Sequence, residues 1–308
     1  MRAGAVAAAT LAVDVPDAPS HLKLAGEDVI TLDRPRIMGI LNVTPDSFSD
    51  GGRWADPSAA VERGLKMVEQ GADLIDVGGE STRPGAQRVP EDEQVRRVSG
   101  VVGALTRALD RAKRDVPISI DTTRAAVAEA ALEQGARLVN DVSAGRDDAS
   151  MIPMAARRGA PIVLMHMLGA PRTMQDDPQY ADVLAEVMRF LAERAAGAIE
   201  AGVDPGRIMV DPGIGFGKTR AHNLALLAGL DRIAGLGFPV LLGASRKRFM
   251  GAICSDASGN PPRPDELVGA TCATTALGVA AGVRMFRVHD VRANRQAADV
   301  AEQVARSR

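Results

Sequence analysis

Cysteine is nearly absent from this sequence: Cys254 and Cys272 are the only two in 308 residues. They form no CxxC pair and have no histidine at a ligand spacing, which excludes a disulfide framework and a structural zinc site. A reducing cytoplasm suits such a chain. Long hydrophobic runs are missing as well. No stretch reaches the roughly 18 apolar residues that a membrane span needs, and the longest weakly apolar one, Ala3 to Val13, is mostly alanine. A single Arg ahead of it and no disulfide pattern after it make a poor export signal, so residues 1–33 read as a flexible N-terminal extension. The third thing lacking is an excess of charge, since 37 Lys and Arg against 39 Asp and Glu leave −2. Balanced, dispersed charge gives no electrostatic footprint for nucleic acid or an anionic membrane, and neither is expected as a partner.

What is present, from Pro35 onward, is a repeat. Short β-branched runs end in polar or glycine-containing loops, and each is followed by a longer, alanine-rich amphipathic stretch. The strand candidates are Arg36–Val43, Asp73–Val77, Pro117–Asp121, Arg137–Val142, Pro161–His166, Arg207–Asp211, Pro239–Gly243 and Arg284–His289. Helices are expected near 57–70, 91–114, 123–134, 148–158, 180–201, 220–234, 264–281 and 291–306. Glycines such as Gly71, Gly135 and Gly202 sit where a left-handed helix cap would turn the chain into the next strand. Eight βα units in about 270 residues, with no linker dividing them, suit one closed (β/α)8 barrel spanning 34–308 better than an open doubly wound sheet.

That architecture puts chemistry at the C-terminal strand ends. Reading those ends in order gives Asn42; Asp76 and then Glu80 to Pro84; Asp121; Asn140 and Asp141; His166; Asp211; Ser245-Arg246-Lys247-Arg248; and Arg287 with His289. A helix-capping role would account for Asp141 or Asp76, but a polar group at every end asks for more. Convergent carboxylates, amides and cations suit a heterocycle with several donors and acceptors together with an anion, with Ile120, Val139 and Met165 as apolar walls. The anion belongs near Arg287, His289 and the cluster at 246–248, because the loops after strands seven and eight are the usual phosphate position. Arg246 has a competing reading as an ordinary salt bridge.

Two motifs invite over-reading. Pro212-Gly213-Ile214-Gly215-Phe216-Gly217-Lys218-Thr219 looks like a nucleotide-binding P-loop, but proline stands where glycine is required and the run follows the sixth strand. Its glycines read instead as a flat wall at the barrel mouth. His166 reads as a hydrogen-bonded lining residue rather than a metal ligand, and His222 as a surface helix residue.

The run Gly39-Ile40-Leu41-Asn42-Val43-Thr44-Pro45-Asp46-Ser47-Phe48-Ser49-Asp50-Gly51-Gly52 resembles the signature loop of the dihydropteroate synthases, the sulfonamide-target enzymes of folate synthesis. Asp76 to Gly85, Ser119-Ile120-Asp121-Thr122, Val139-Asn140-Asp141-Val142, Asp211 to Phe216, Ser245-Arg246-Lys247 and Arg287-Val288-His289-Asp290 follow in that family's order, and the similarity runs from about residue 36 to the end. The resemblance implies condensation of (7,8-dihydropterin-6-yl)methyl diphosphate with p-aminobenzoate, with release of pyrophosphate. It assigns Asp121, Asn140, Met165, Asp211 and Lys247 to the pterin. Asn42, Arg83, Arg287 and His289 fall to the pyrophosphate, with Asn42 also reaching a bridging Mg²⁺. Phe48, Thr82, Pro84, Lys247 and Arg248 are assigned to p-aminobenzoate, and Asp46, on one of two mobile loops, helps to order them. It makes Asp46, Asp121, Asp211 and Lys247 the catalytic set and implies a homodimer in the cytoplasm.

Two departures from the pattern stand out: the segment His166 to Pro171 lacks the expected Gln-Gly-Thr, and the N-terminal extension is longer than usual. Two other readings compete. A pterin-binding methyltransferase barrel shares the pterin carboxylates but has no use for the Thr-Pro-Asp-Ser-Phe loop or the Ser-Arg-Lys cluster. A catalytically silent pterin-binding paralogue should have lost loop or anion residues, and none is lost.

Overall fold

The computed structural model describes residues 20–43, 57–80, 89–169 and 173–307. Eight parallel strands follow one another around a barrel: β3 (Arg36–Asn42), β4 (Leu74–Gly78), β5 (Ile118–Asp121), β6 (Ala136–Asp141), β7 (Ile162–Met165), β8 (Ile208–Asp211), β9 (Leu241–Leu242) and β10 (Met285–Val288). Each pairs with its chain neighbour, β10 returns to β3, and a single bridge from Val210 to Val240 joins β8 to β9 and closes the ring. All eight expected strands are present, each shifted by no more than a residue or two at its ends, except β9, which shrinks to two residues. The outer ring is formed by α1 (Pro57–Glu69), α2 (Glu91–Arg111), α3 (Ala125–Glu133), α4 (Met151–Arg158), α5 (Val183–Glu200), α6 (Arg220–Ala228), α7 (Leu230–Ala234), α8 (Arg248–Ile253), α9 (Val268–Ala280) and α10 (Val291–Arg306).

Local chemistry explains these elements. Along α5, Val183, Val187, Leu191, Ala195 and Ala198 recur at three- and four-residue spacing and are buried, and the Asp182 carboxylate accepts from the Leu184 and Ala185 amides at 3.0 Å each to start the helix. Gly71, Gly135 and Gly202 have φ of 98°, 106° and 96°, the positive values a chain reversing out of a helix requires. The stretch expected as one helix over 220–234 breaks at Gly229, and the short α8 follows Lys247.

Strand alternation sorts the side chains into two layers. One set, including Ile37, Ile75, Ile118, Ile120, Val139, Ile162, Val210 and Phe286, faces outward and packs with helix residues such as Val98, Leu105, Val127, Met151 and Leu191. Ile120 and Val139, expected as walls of the site, belong to this outer layer. They are one residue out of phase with Asp121 and Asn140, and the pleat sends them to the opposite face. The inward set, Met38, Leu74, Leu138, Val163, Met209, Leu241 and Met285, fills the lower barrel.

Residues 20–33 correct the expectation of an extension lying outside the barrel. His21–Lys23 (β1) and Val29–Thr31 (β2) form an antiparallel hairpin whose Leu22, Leu24, Ile30 and Leu32 close the bottom against that inward set. At about 1.5–3 kcal/mol for each buried aliphatic side chain, the four offset part of the cost of ordering the segment. Polar ties secure it: Lys23 pairs with Asp204 at 2.7 Å, Arg137 with Asp28 at 2.5 Å, and Arg207 donates to the carbonyls of Leu24 and Gly26. Residues 1–19 lie outside the described residues. Among the described residues, the hairpin plugs the bottom of the barrel, which opens at the C-terminal strand ends. Among the described residues no helix is long and apolar enough to cross a membrane.

Candidate active site

Above the apolar floor the inward positions turn polar. Asp76, Ser119, Asp121, Asn140 and Asp211 are buried there, on β4, β5, β6 and β8. Arg287, from β10, spans the mouth between two of them: Nε donates to Asp76 Oδ2 and one terminal nitrogen to Asp121 Oδ2, both at 2.6 Å. Asn140 Nδ2 also donates to Asp76 Oδ2, at 3.1 Å. The structure thus joins Asp121, Asn140 and Arg287, assigned to two different subsites by the resemblance, through a residue given no substrate role. Asp76 does not cap a helix. Asp141 does what capping implies: its carboxylate accepts from the amides of Ser143 at 2.8 Å and Gly145 at 2.6 Å, within its own turn.

The electrostatics follow from burial. Burial pushes the Asp121 carboxyl up to about 7, with Arg287 opposing the shift and Asp76 adding to it. Asp211 rises to about 6 for the same reason, held back by the Gly213 amide and by Lys247; that amide donates to Asp211 Oδ1 at 2.7 Å. Burial disfavours the charge on Arg287, but Asp76 and Asp121 outweigh it and hold the guanidinium more firmly protonated than usual. Among the described residues, Asp121 Oδ1, Asp76 Oδ1 and Ser119 Oγ are buried without a hydrogen-bond partner. Buried polar atoms are normally satisfied, and three orphans around one opening mark the place where a polar ligand is received.

The remaining predicted residues gather around this floor. A Cβ placed on Gly78 would lie 3.6 Å from Asn42 Oδ1 and 3.7 Å from Asp121 Oδ2, so Asn42 and Asp121 flank that glycine at the ends of neighbouring strands. Ser245 Oγ accepts from the His289 amide at 3.2 Å and lies 3.0 Å from His289 Nδ1, fixing the imidazole over the seventh strand end. Lys247 Nζ stands 4.0 Å from the centre of the Phe216 ring, a cation–π distance. Arg248 is exposed at the start of α8. Met165 lies beside Asp211 across the β7–β8 pair and packs with Val142, Met167, Met174 and Phe216, which supply the apolar wall in place of Ile120 and Val139. Asp46, Phe48, Thr82, Arg83 and Pro84 lie outside the described residues.

Two ambiguous basic residues are resolved. Arg246 makes a bidentate pair with Asp290, at 3.0 and 2.7 Å, and holds a left-handed backbone with φ of 58° while its amide donates to Thr271 Oγ1. It therefore serves the turn that presents Ser245 and Lys247. Lys218 is buried beneath the glycine loop, with its ammonium on the carbonyls of Gly213 and Phe216 and on His166 Nδ1. The loop turns carbonyl oxygens toward an internal cation, the reverse of a P-loop's amide cradle, so the phosphate reading fails on polarity as well as on sequence. Burial, with Lys218 and Arg146 nearby, lowers His166 to about 3, and its ring stacks edge-on against Phe190 with centroids 4.9 Å apart. His222 completes a capping box with Thr219 and packs against Tyr180.

Comparison with known proteins agrees with this geometry. The family model described as pterin binding enzyme matches residues 38–289. The dihydropteroate synthase of Mycobacterium leprae is 49% identical over 261 residues, covering 84% of this chain and 89% of that protein. Among solved structures, the Xanthomonas albilineans dihydropteroate synthase with 4-aminobenzoic acid superposes with a TM-score of 0.82 at 46% identity, covering 92% of this chain and 98% of that one. The Yersinia pestis dihydropteroate synthase in complex with a sulfonamide drug gives 0.83 at 39% identity, covering 94% and 100%.

Proposed function

The chain belongs to the dihydropteroate synthase family of pterin-binding enzymes, transferases that make dihydropteroate, and from that premise we propose how its residues divide the reaction. The substrates are (7,8-dihydropterin-6-yl)methyl diphosphate and p-aminobenzoate, and the products dihydropteroate and pyrophosphate. The observation that carries the assignment of roles is the buried Asp121 carboxylate, tied to Arg287 through one oxygen and, among the described residues, unpartnered at the other. Asp121, Asn140 and Asp211 form an edge of acceptors and donors matched to the N–H and carbonyl pattern of a pterin. Met165 and Phe216 offer the ring an apolar wall, and Lys247 extends over it.

The bond from the exocyclic methylene to the diphosphate breaks with its electron pair leaving on pyrophosphate. The electron-rich dihydropterin spreads the positive charge left behind, and the carboxylates of Asp121 and Asp211 favour that charge through a low-dielectric interior. Bond breaking thus runs ahead of attack. Arg287 and His289, at the end of the eighth strand, meet the charge that builds on the leaving group. For Arg287 this means exchanging part of its hold on Asp76 and Asp121 for a phosphate oxygen. The lone pair of the p-aminobenzoate nitrogen then forms the new C–N bond and the nitrogen sheds a proton. The loops bearing Asp46, Phe48, Thr82, Arg83 and Pro84 are assigned, from the sequence alone, to enclosing p-aminobenzoate and excluding water. Lys247 and Arg248, at the start of α8, are assigned to its carboxylate.

The amide oxygen of Asn42 is a hard donor beside the carboxylate floor, and it suits Mg²⁺, which takes few protein ligands and completes its shell with phosphate and water oxygens. Asn42 would hold the ion, and a bound ion would offset charge on the departing pyrophosphate. Two unpaired cysteines fit work in the cytoplasm. Leu277 on α9 and Val300 and Val304 on the adjacent α10 are exposed apolar residues that support a homodimer. The decisive experiment is pyrophosphate release on mixing protein, Mg²⁺, the pterin diphosphate and p-aminobenzoate, with each omitted in turn. Release that persists without p-aminobenzoate at the full rate, or fails with all present, refutes the reading. Sulfonamides share an aniline nitrogen and a polar far end with p-aminobenzoate and are expected to compete with it. A noncompetitive pattern in steady-state inhibition would count against the pocket as drawn.

A further inference from the structure

Lys218 has no part in the reaction above, yet its surroundings are built around it. The residue is 3% exposed. Its ammonium lies 3.0 Å from the carbonyl oxygens of both Gly213 and Phe216, 2.9 Å from His166 Nδ1 and 3.4 Å from the His166 carbonyl. An ammonium has three donors in a tetrahedral arrangement, and here they reach two points of one loop and the end of β7. Burying such a charge is costly. An apolar side chain of equal length would avoid that cost, but would strand the same carbonyls without donors.

The loop it holds is a hydrogen-bonded frame. Gly213, Gly215 and Gly217 have φ of 66°, 83° and 62°, and a Cβ on Gly213 would fall 1.9 Å from the His166 carbonyl oxygen. From the outer side, Gln175 donates to the Gly215 carbonyl at 2.6 Å and Tyr180 to that of Gly217 at 2.8 Å, while the Gly215 amide donates to Asn223 Oδ1 at 2.7 Å. From the inner side the Gly213 and Phe216 carbonyls converge on Lys218. The side chain that this frame delivers is Phe216, whose ring packs on the Met165 and Met167 wall and sits under the Lys247 ammonium.

We infer that Lys218 is a positioning residue for the pterin diphosphate: by fixing the Gly213 and Phe216 carbonyls it sets the Phe216 ring and, through that ring, the placement of Lys247. The inference rests on the reading of the barrel mouth as the pterin diphosphate site. A lysine in a motif that mimics a P-loop thus serves the opposite end of the chemistry, anchoring the wall beside the heterocycle rather than a phosphate.

The test is kinetic. Lys218→Met removes all three donors, and Lys218→Gln restores two N–H groups without the charge. Lys218→Met is expected to raise KM for the pterin diphosphate about tenfold, with kcat changed by less than about threefold, and Lys218→Gln to recover part of the loss. In a Phe216→Leu background the added effect of Lys218→Met should shrink to less than about threefold, because coupled residues are non-additive. An unchanged KM for the pterin diphosphate, or effects that multiply in the double variant, overturns the inference. So does failure of both single variants to fold, which would assign Lys218 to the fold alone. Pyrophosphate release by the unsubstituted protein separates the two ideas. Without it the reading of the site falls; with it, and with an unchanged KM in the variants, only the positioning role falls.

Discussion

Replacing Arg287 with methionine is the sharpest perturbation of the barrel mouth, because it removes one cation from between two buried carboxylates. Asp76 is fully buried and Asp121 nearly so, and each accepts from the guanidinium at 2.6 Å. Breaking a buried pair by removing one partner costs about 3–5 kcal/mol. The Arg287 side chain keeps 20% exposure, which favours the lower end, about 3 kcal/mol. At roughly 2–4 °C per kcal/mol for a large domain, Tm should fall by about 6–12 °C at pH 8. The loss depends on pH with a definite sign. Burial raises the Asp121 carboxyl to about 7, well above the ordinary carboxylate range, so the folded protein binds a proton that the unfolded chain gives up, and stability falls as pH rises from that range to about 7. At pH 5 Asp121 is neutral with or without Arg287, and only the Asp76 contact is lost, so the drop should be about half or less. Thermal melts followed by circular dichroism at pH 5 and pH 8 test this. Equal losses at the two pH values, or a loss below about 2 °C at pH 8, would refute the ion-pair bridge.

Asp211→Asn should weaken binding of a pterin analogue by about 2–4 kcal/mol, since an amide presents one donor where the ligand needs an acceptor; calorimetry showing unchanged affinity would reduce Asp211 to a partner of the Gly213 amide. With the Asp211 pKa pushed up to about 6, that affinity in the parent protein should improve as pH rises from 5 to 7 and the carboxylate ionises. His289→Ala should raise KM for the diphosphate substrate while leaving affinity for a pterin without the diphosphate nearly unchanged, and a parallel loss of both would make the imidazole a support of Ser245 instead. Arg246→Gly keeps the positive φ and loses the Asp290 pair, whereas Arg246→Ala loses both, so urea melts should find the alanine variant the less stable by about 1 kcal/mol.

The closed barrel and the positions of its strand ends were legible in the sequence because both are local. Alternating aliphatic runs, glycines past helix ends and regular spacing specify strands and helices whatever lies across the ring, and eight such units close in only a few ways. Asn42, Asp121, Asn140, Asp211, Lys247, Arg287 and His289 could be picked out for the same reason, from their place at the end of a run. The hairpin was less legible: Leu22, Leu24, Ile30 and Leu32 alternate correctly, but on and just beyond two three-residue strands they gain their burial only from a barrel floor contributed by seven other strands.

Partnership among those side chains was decided by the tertiary structure alone. Whether an aspartate at a strand end caps its own turn, as Asp141 does, or reaches across the ring to Arg287, as Asp76 does, depends on which face of the pleat it occupies. It depends also on what stands opposite, at a separation of 211 residues for that pair. The same holds for Lys218, whose motif suggests a phosphate while its carbonyl partners belong to a loop folded back over it. Sequence determines which groups are available at the mouth, because periodicity and turn chemistry act over a few residues. The pairing of charges, and with it the pKa of each carboxyl, comes from distances that exist only once the ring has closed and water has been removed from between them.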